Sequence, residues 1–181
     1  FKQKTAYEIR NCDWSSDVCS SDLRSEFRSA GNSGECLFQE MIEIIFYSRN
    51  YKNIPAENIN EKIEKLALEE GKTIGNITLV CCTDDDLLQV NQTHLNHDYY
   101  TDIITFDYCE SSVIHGDLFL SIDRIQENAA TYEVSFEEEW HRVVFHGVLH
   151  LMGYGDKSEE EIKLMREKEN HYLNTLFHVK Q

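Results

Sequence analysis

The sequence predicts an α+β domain, one mixed sheet of about four strands packed with about five helices. Three observations lead there. The chain has 181 residues, 41% hydrophobic and 28% charged, enough for one core of ordinary size and too few for two well-developed domains. It carries a single proline and eight glycines, which favours regular structure over disordered or fibrous classes. From residue 41 onward, short apolar runs alternate with segments of helical periodicity in the order β-α-β-α-β-β-α-α-α.

Residues 41–47 (MIEIIFY) form a short apolar run suited to a strand, and residues 58–70 repeat Ile59, Ile63, Leu66 and Ala67 at helical spacing. Residues 77–82 are the second strand. Thr83 followed by Asp84, Asp85 and Asp86 is a helix N-cap with acids in the first turn, where the helix dipole favours them, and the helix should run to about His94. Residues 102–108 and 116–122 read as two further strands, followed by a helix opened by Asp123. Ser135 with Glu138 makes a capping box for a helix to about Met152, and Ser158 with Glu161 makes another for a helix to about Leu176.

Residues 1–40 lack this periodicity. They contain a Ser/Asp/Cys-rich run (WSSDVCSSDL, 14–23) that resembles the translation of a sequencing adapter, and a linker-like stretch (SAGNSG, 29–34). They read as a disordered or non-native N-terminal segment, with residues 41–181 as the domain.

There are 33 acidic and 17 basic residues, for a formal net charge of −16. A broad basic surface that grips nucleic acid non-specifically is therefore excluded, and any nucleic-acid contact must be local. No run reaches the roughly 18–20 apolar residues of a membrane span, and no basic start leads into an apolar run, so the expectation is a soluble, cytoplasmic protein. The six cysteines form no disulfide framework and no C-x-x-C pair; the adjacent Cys81 and Cys82 lie in an apolar strand and read as buried thiols of a reducing compartment.

The strongest chemical signal is HGVLHLMGYGD, residues 146–156. Residues four apart on a helix share a face, so His146 and His150 can offer two imidazole nitrogens to one ion. Gly153 falls where the helix should end and lets the chain turn so that Asp156 returns as a third ligand. Three protein ligands with an open position are the layout of a catalytic metal site, best suited to one zinc per chain, with manganese or nickel as the alternatives, and such an ion would lower the pKa of bound water. Hydrolysis is the expected reaction class. On the same helix, Phe136, Trp140, Val143, Val144, Val148 and Leu151 mark an apolar face, and Glu139, His146 and His150 fall together on another. The spacing is also that of metzincin peptidases, but the glutamate they carry directly after the first histidine is here Gly147.

The motif resembles the H-G-x-L-H-L-x-G-Y-D-H signature of the YbeY family of endoribonucleases. Two further segments carry the likeness: NQTHLNHDYYTDIITF (91–106) is similar to the family's N-x-x-Y-R-x-x-D-x-x-T-D-V-L-S-F, and HGDL (115–118) to its L-G-D-I strand. The resemblance runs over about residues 41–178. It implies a zinc-dependent endoribonuclease that cuts single-stranded RNA in ribosomal RNA maturation and ribosome quality control. It implies partners in ribosomal RNA, the small ribosomal subunit and ribosome-associated proteins, with no DNA and no membrane. His146 and His150 are then the catalytic metal-binding histidines, with Asp156 where the family usually has histidine. The family's arginine, thought to engage RNA phosphate, falls on Leu95, and His94, His97 or Arg142 are the alternatives. Asp98, Thr101 and Asp102 are expected to hold the cleft, and Asp117 to orient a ligand histidine. His115, His141, His171 and His178 are expected to be solvated or capping. The competing functions are a non-catalytic ribosome-assembly module, favoured by the missing arginine, and a metallohydrolase acting on another substrate.

Overall fold

The computed structural model describes residues 42–47, 51 and 53–178. The expectation for residues 1–40 lies outside these. The described elements are β1 (Ile42–Phe46), α1 (Ile59–Glu69), β2 (Thr73–Cys82), α2 (Asp84–Leu95), β3 (Ile103–Asp107), β4 (Val113–Ser121), α3 (Ile122–Tyr132), α4 (Phe136–Leu151) and α5 (Glu159–Tyr172), with a π-helical turn at Leu173–Phe177. This is the order and the α+β class expected from the sequence. The four-stranded sheet runs β1-β2-β4-β3; β1 and β4 flank β2 in parallel, and β3 closes the other side antiparallel to β4.

Side chains alternate across a strand, so each strand feeds two cores. Ile77, Leu79 and Cys81 of β2 and Leu118 and Leu120 of β4 pack with residues of α1, α4 and α5, among them Leu66, Trp140, Phe145 and Tyr172. Val80, Cys82, Ile104, Phe106 and Phe119 point the other way, under Leu87, Val90 and Leu95 of α2. The central parallel strands are buried on both faces, which is why they read as continuous apolar runs rather than alternating ones. The thiols of Cys81 and Cys82 are buried and unbridged, as expected.

The differences from expectation are local. β2 begins at Thr73, four residues early, because Gly75 and Asn76 sit at a register irregularity between Ile74 and Ile77 that interrupts the apolar pattern without ending the strand. The cap of α3 is Ser121, whose hydroxyl accepts from Arg124 N at 3.1 Å; Asp123 lies inside the first turn and accepts from Asp84 N at 3.0 Å. Thr83 and Ser158 form complete capping boxes with Asp86 and Glu161. Ser135 caps α4 by accepting from Glu138 N, but the Glu138 carboxylate faces His178 at 3.7 Å instead of closing the box.

His141, expected to be solvated or capping, is fully buried. Its Nδ1 lies 2.7 Å from the Glu137 carbonyl, which can only accept, so Nδ1 carries the hydrogen and Nε2 accepts from Lys62 Nζ at 2.8 Å. Burial foremost, and the Lys62 charge, pull this imidazole down to about 4, against the Glu137 bond, which favours the charged ring.

Candidate metal centre

His146, His150 and Asp156 are brought together by the end of α4 and the turn after it. Gly153 has φ +101°, a conformation that side chains rarely adopt. It allows a Schellman closure in which Gly153 N donates to His150 O at 2.9 Å and Tyr154 N to Leu149 O at 3.1 Å. The chain reverses there, and one ligand atom from each of the three residues falls within 4.8 Å of the others.

The orientation of both rings follows from their far nitrogens. His146 Nδ1 lies 2.8 Å from Glu169 Oε1 on α5, and His150 Nδ1 lies 2.9 Å from the Tyr154 carbonyl. Both acceptors lack a hydrogen, so each Nδ1 is the donor and each Nε2 lone pair points inward. The two Nε2 atoms are 2.8 Å apart, and Asp156 Oδ2 is 3.8 Å from His150 Nε2. Two lone pairs and a carboxylate facing one point repel unless a cation or a proton lies among them. This donor set of two imidazoles and one carboxylate fits a zinc ion with an open position. Without one, burial disfavours the charged ring of His146, yet the Glu169 bond and the nearby Asp102 and Asp156 carboxylates outweigh it and hold its pKa above the ordinary value.

A cleft opens beside this group, lined by His146, Asp156, Thr101, Asp102, Glu139 and Arg142 among others. Thr101 Oγ1 donates to Ile103 O at 3.2 Å, and Asp102 Oδ2 accepts from Asn128 Nδ2 at 3.3 Å, tying the loop before β3 to α3. Asp98 and Asp117 are not among the lining residues: Asp98 is exposed and accepts from Gln92, and Asp117 is buried in β4, in register with Thr78 and Phe106. Leu95, at the place of the family's arginine, is buried in the core under α2. Of the alternatives, His97 and Arg142 line the cleft; His94 packs edge-on to Phe106.

Three further groups have no role in the site as read from the sequence, although Glu139 falls there on the helix face of the two histidines. Glu169 divides its carboxylate between His146 and Arg142, whose Nη1 is 3.6 Å from Oε2. Tyr154 anchors the ligand turn twice, through its carbonyl to His150 and through its hydroxyl to Glu70 Oε2 at 2.6 Å. Glu139 is 2% exposed, and its Oε2 has no hydrogen-bond partner, the Arg142 Nε at 3.5 Å being turned or placed too far to donate. Burial foremost raises its pKa to about 7; Arg142 opposes, and Asp102, Glu169 and Glu138 add to the rise. Gly147 faces the sheet: a Cβ there would lie 2.4 Å from Leu118 Cδ2 and 2.5 Å from Ile103 Cδ1. The position that carries the peptidase base is thus closed by the close approach of α4 to β3 and β4.

Comparison with known proteins agrees with this architecture. The model of the family described as endoribonuclease YbeY matches residues 39–177. The endoribonuclease YbeY of Flavobacterium psychrophilum is 50% identical over 119 residues, 66% of this chain and 84% of that protein. The same-named protein of Bacteroides thetaiotaomicron is 45% identical over 121 residues, 67% of this chain and 88% of its own, and that of Christiangramia forsetii 43% over 140 residues, 77% and 97%. The solution structure of TM1509 from Thermotoga maritima superposes with a TM-score of 0.54 at 25% identity, covering 74% of this chain and 89% of that one. By its matched length, its relatives and its fold, the chain belongs to the YbeY endoribonuclease family.

Proposed function

We propose that this protein is a zinc-dependent endoribonuclease that hydrolyses phosphodiester bonds of single-stranded ribosomal RNA during maturation and quality control of the small ribosomal subunit, in the cytoplasm. The observation that carries the reading is the convergence of His146 Nε2, His150 Nε2 and an Asp156 carboxylate oxygen on one point at the edge of an open cleft. Family membership supports the nuclease chemistry.

His146, His150 and Asp156 would hold the ion. When bound, it supplies Lewis acidity, which makes water a nucleophile near neutral pH and draws charge from the phosphoryl group. The chain's own groups do the rest. Glu169 and the Tyr154 carbonyl fix both imidazole tautomers, so the lone pairs need no reorientation on binding. Arg142, held by Glu169 and by Asn170 Oδ1 at 3.1 Å, brings a permanent cation to the cleft, where the transferring phosphoryl group gains negative charge. It serves there in place of the arginine replaced by Leu95. Asp102, braced by Thr101 and Asn128, keeps the opposite wall in place. Asp98 stays outside the lining, accepting from Gln92 near the end of α2, and the two ligand rings take their orientation from Glu169 and Tyr154 rather than from Asp117.

The test is incubation of the purified protein with a defined single-stranded ribosomal RNA fragment, with and without a chelator. Cleavage that stops with chelator and returns with added zinc supports the reading; intact RNA under all conditions leaves the non-catalytic assembly module as the better account.

A further inference from the structure

The cleft has a feature that the metal group does not explain. Tyr100 and Tyr132, 44% and 58% exposed, both line it together with His146 and Asp156. Scattered surface tyrosines are ordinary, but Tyr100 is held on two sides. The Arg124 guanidinium lies 5.3 Å from its ring centroid, and its hydroxyl donates to Asp85 Oδ1 at 3.2 Å. Arg124 is in turn fixed by Asp84 and by Glu127 at 2.7 Å. A large ring is thus locked in one orientation while much of it stays open to the cleft.

Tyr132 belongs to the same construction. Arg124, Asn128 and Tyr132 follow one another at four-residue spacing along one face of α3. Arg124 supports Tyr100, Asn128 bonds Asp102, and Tyr132 lies about 12 Å of helix rise beyond Arg124. Between the two aromatic positions is the wall formed by Asn128 and Asp102.

Charge indicates what must supply affinity here. Asp102, Glu139, Asp156 and Glu169 line the cleft against Arg142, Lys157 and Arg166, four carboxylates to three permanent cations. On a chain of net charge −16, that lining cannot hold a polyphosphate backbone by counterion release alone. Unpaired bases on aromatic rings add affinity that needs no net positive charge and is open to every base. The cleft volume, about 1350 Å³, exceeds the roughly 300–1,000 Å³ of small-molecule pockets and suits a segment of polymer.

Resting on the nuclease reading for the identity of the polymer, we infer that Tyr100 and Tyr132 are two base-stacking platforms that hold unpaired nucleotides of single-stranded RNA across the cleft beside the metal group. A duplex, whose bases are already stacked on one another, cannot offer them, so the platforms select single strands.

The test is binding of the full chain, in chelator so that nothing is cut, to a short fluorescent oligoribonucleotide containing 2-aminopurine. Anisotropy reports affinity and 2-aminopurine quenching reports stacking. Tyr100→Leu and Tyr132→Leu should each weaken binding roughly tenfold and reduce the quench, while Tyr100→Phe and Tyr132→Phe, which keep the ring, stay within about twofold. The matching duplex should bind at least about tenfold more weakly than the single strand. Unchanged affinity in both leucine variants, Phe variants as weak as Leu variants, equal binding of the duplex, or no measurable binding of the single strand would each overturn the inference. The readout separates it from the reading it rests on: a protein that binds through these rings yet cuts no RNA with zinc keeps the platforms and loses the nuclease, and one that cuts equally well without the rings does the reverse.

Discussion

Glu169 accepts a hydrogen bond from His146 Nδ1 at 2.8 Å, joining α5 to the first candidate ligand across 23 residues of sequence. The bond fixes the tautomer that leaves Nε2 free for an ion and makes that nitrogen a better donor. Glu169→Ala should therefore weaken zinc binding by roughly 10–100-fold while leaving the domain folded. Glu169→Gln, whose amide oxygen can still accept from Nδ1, should lose less. Competition with a chromophoric chelator measures both; equal affinity in the wild type and the alanine variant would remove Glu169 from the site.

Tyr154 couples the ligand turn to the rest of the fold through Glu70, which also accepts from Lys168 Nζ at 2.6 Å and from the Tyr172 hydroxyl. Tyr154→Phe deletes one of these bonds and keeps the carbonyl that orients His150. The expected result is a loss of about 1 kcal/mol of stability in denaturant titration, with zinc affinity changed by less than about tenfold.

Gly147 is required by packing. Gly147→Ala places a methyl group against Leu118 and Ile103, forcing α4 away from the sheet or those side chains off their rotamers, and should cost about 1–3 kcal/mol. The same substitution should lower zinc affinity, because α4 carries both histidines. An alanine variant as stable as the wild type would show that the helix can shift without cost.

Glu139 links the cleft to pH. Its pKa in the fold, raised to about 7 from 4.5, means that the folded chain binds a proton the unfolded chain has lost between those values. The stability linked to that proton is present in full below about 4.5 and is lost as pH rises through about 7. Glu139→Gln removes the titration. Measured on metal-free protein, it should be near neutral at pH 4.5 and stabilise by on the order of 2 kcal/mol at pH 8, less whatever the Arg142 ion pair contributes. A variant equally displaced at both pH values would show that Glu139 is ionised throughout.

Much of this was legible in the sequence because it rests on local rules. The caps at Thr83 and Ser158, the helical spacing of Ile59, Ile63, Leu66 and Ala67, and the turn at Gly153 are all encoded within a few residues. The grouping of His146, His150 and Asp156 was legible for the same reason, since one helix end and one turn bring them together. What escaped depends on contacts between distant segments. Glu169 lies in a polar helix whose acids look alike in sequence, and only the packing of α5 on α4 selects it. His141 reads as one more surface histidine until Lys62, 79 residues away, arrives to donate to it in the core. The early start of β2 was hidden because Gly75 and Asn76 break the apolar pattern while the ladder to β4 continues beyond them.

The central claim, that His146 and His150 hold a zinc ion on which RNA cleavage depends, is tested most directly by elemental analysis of the wild type and of His146→Ala and His150→Ala, with cleavage of single-stranded ribosomal RNA assayed on the same samples. The account predicts about one zinc per chain and chelator-sensitive cleavage in the wild type, with both lost in each variant while circular dichroism shows the fold retained. Unchanged metal content in both variants, or cleavage that persists equally in them, would contradict it.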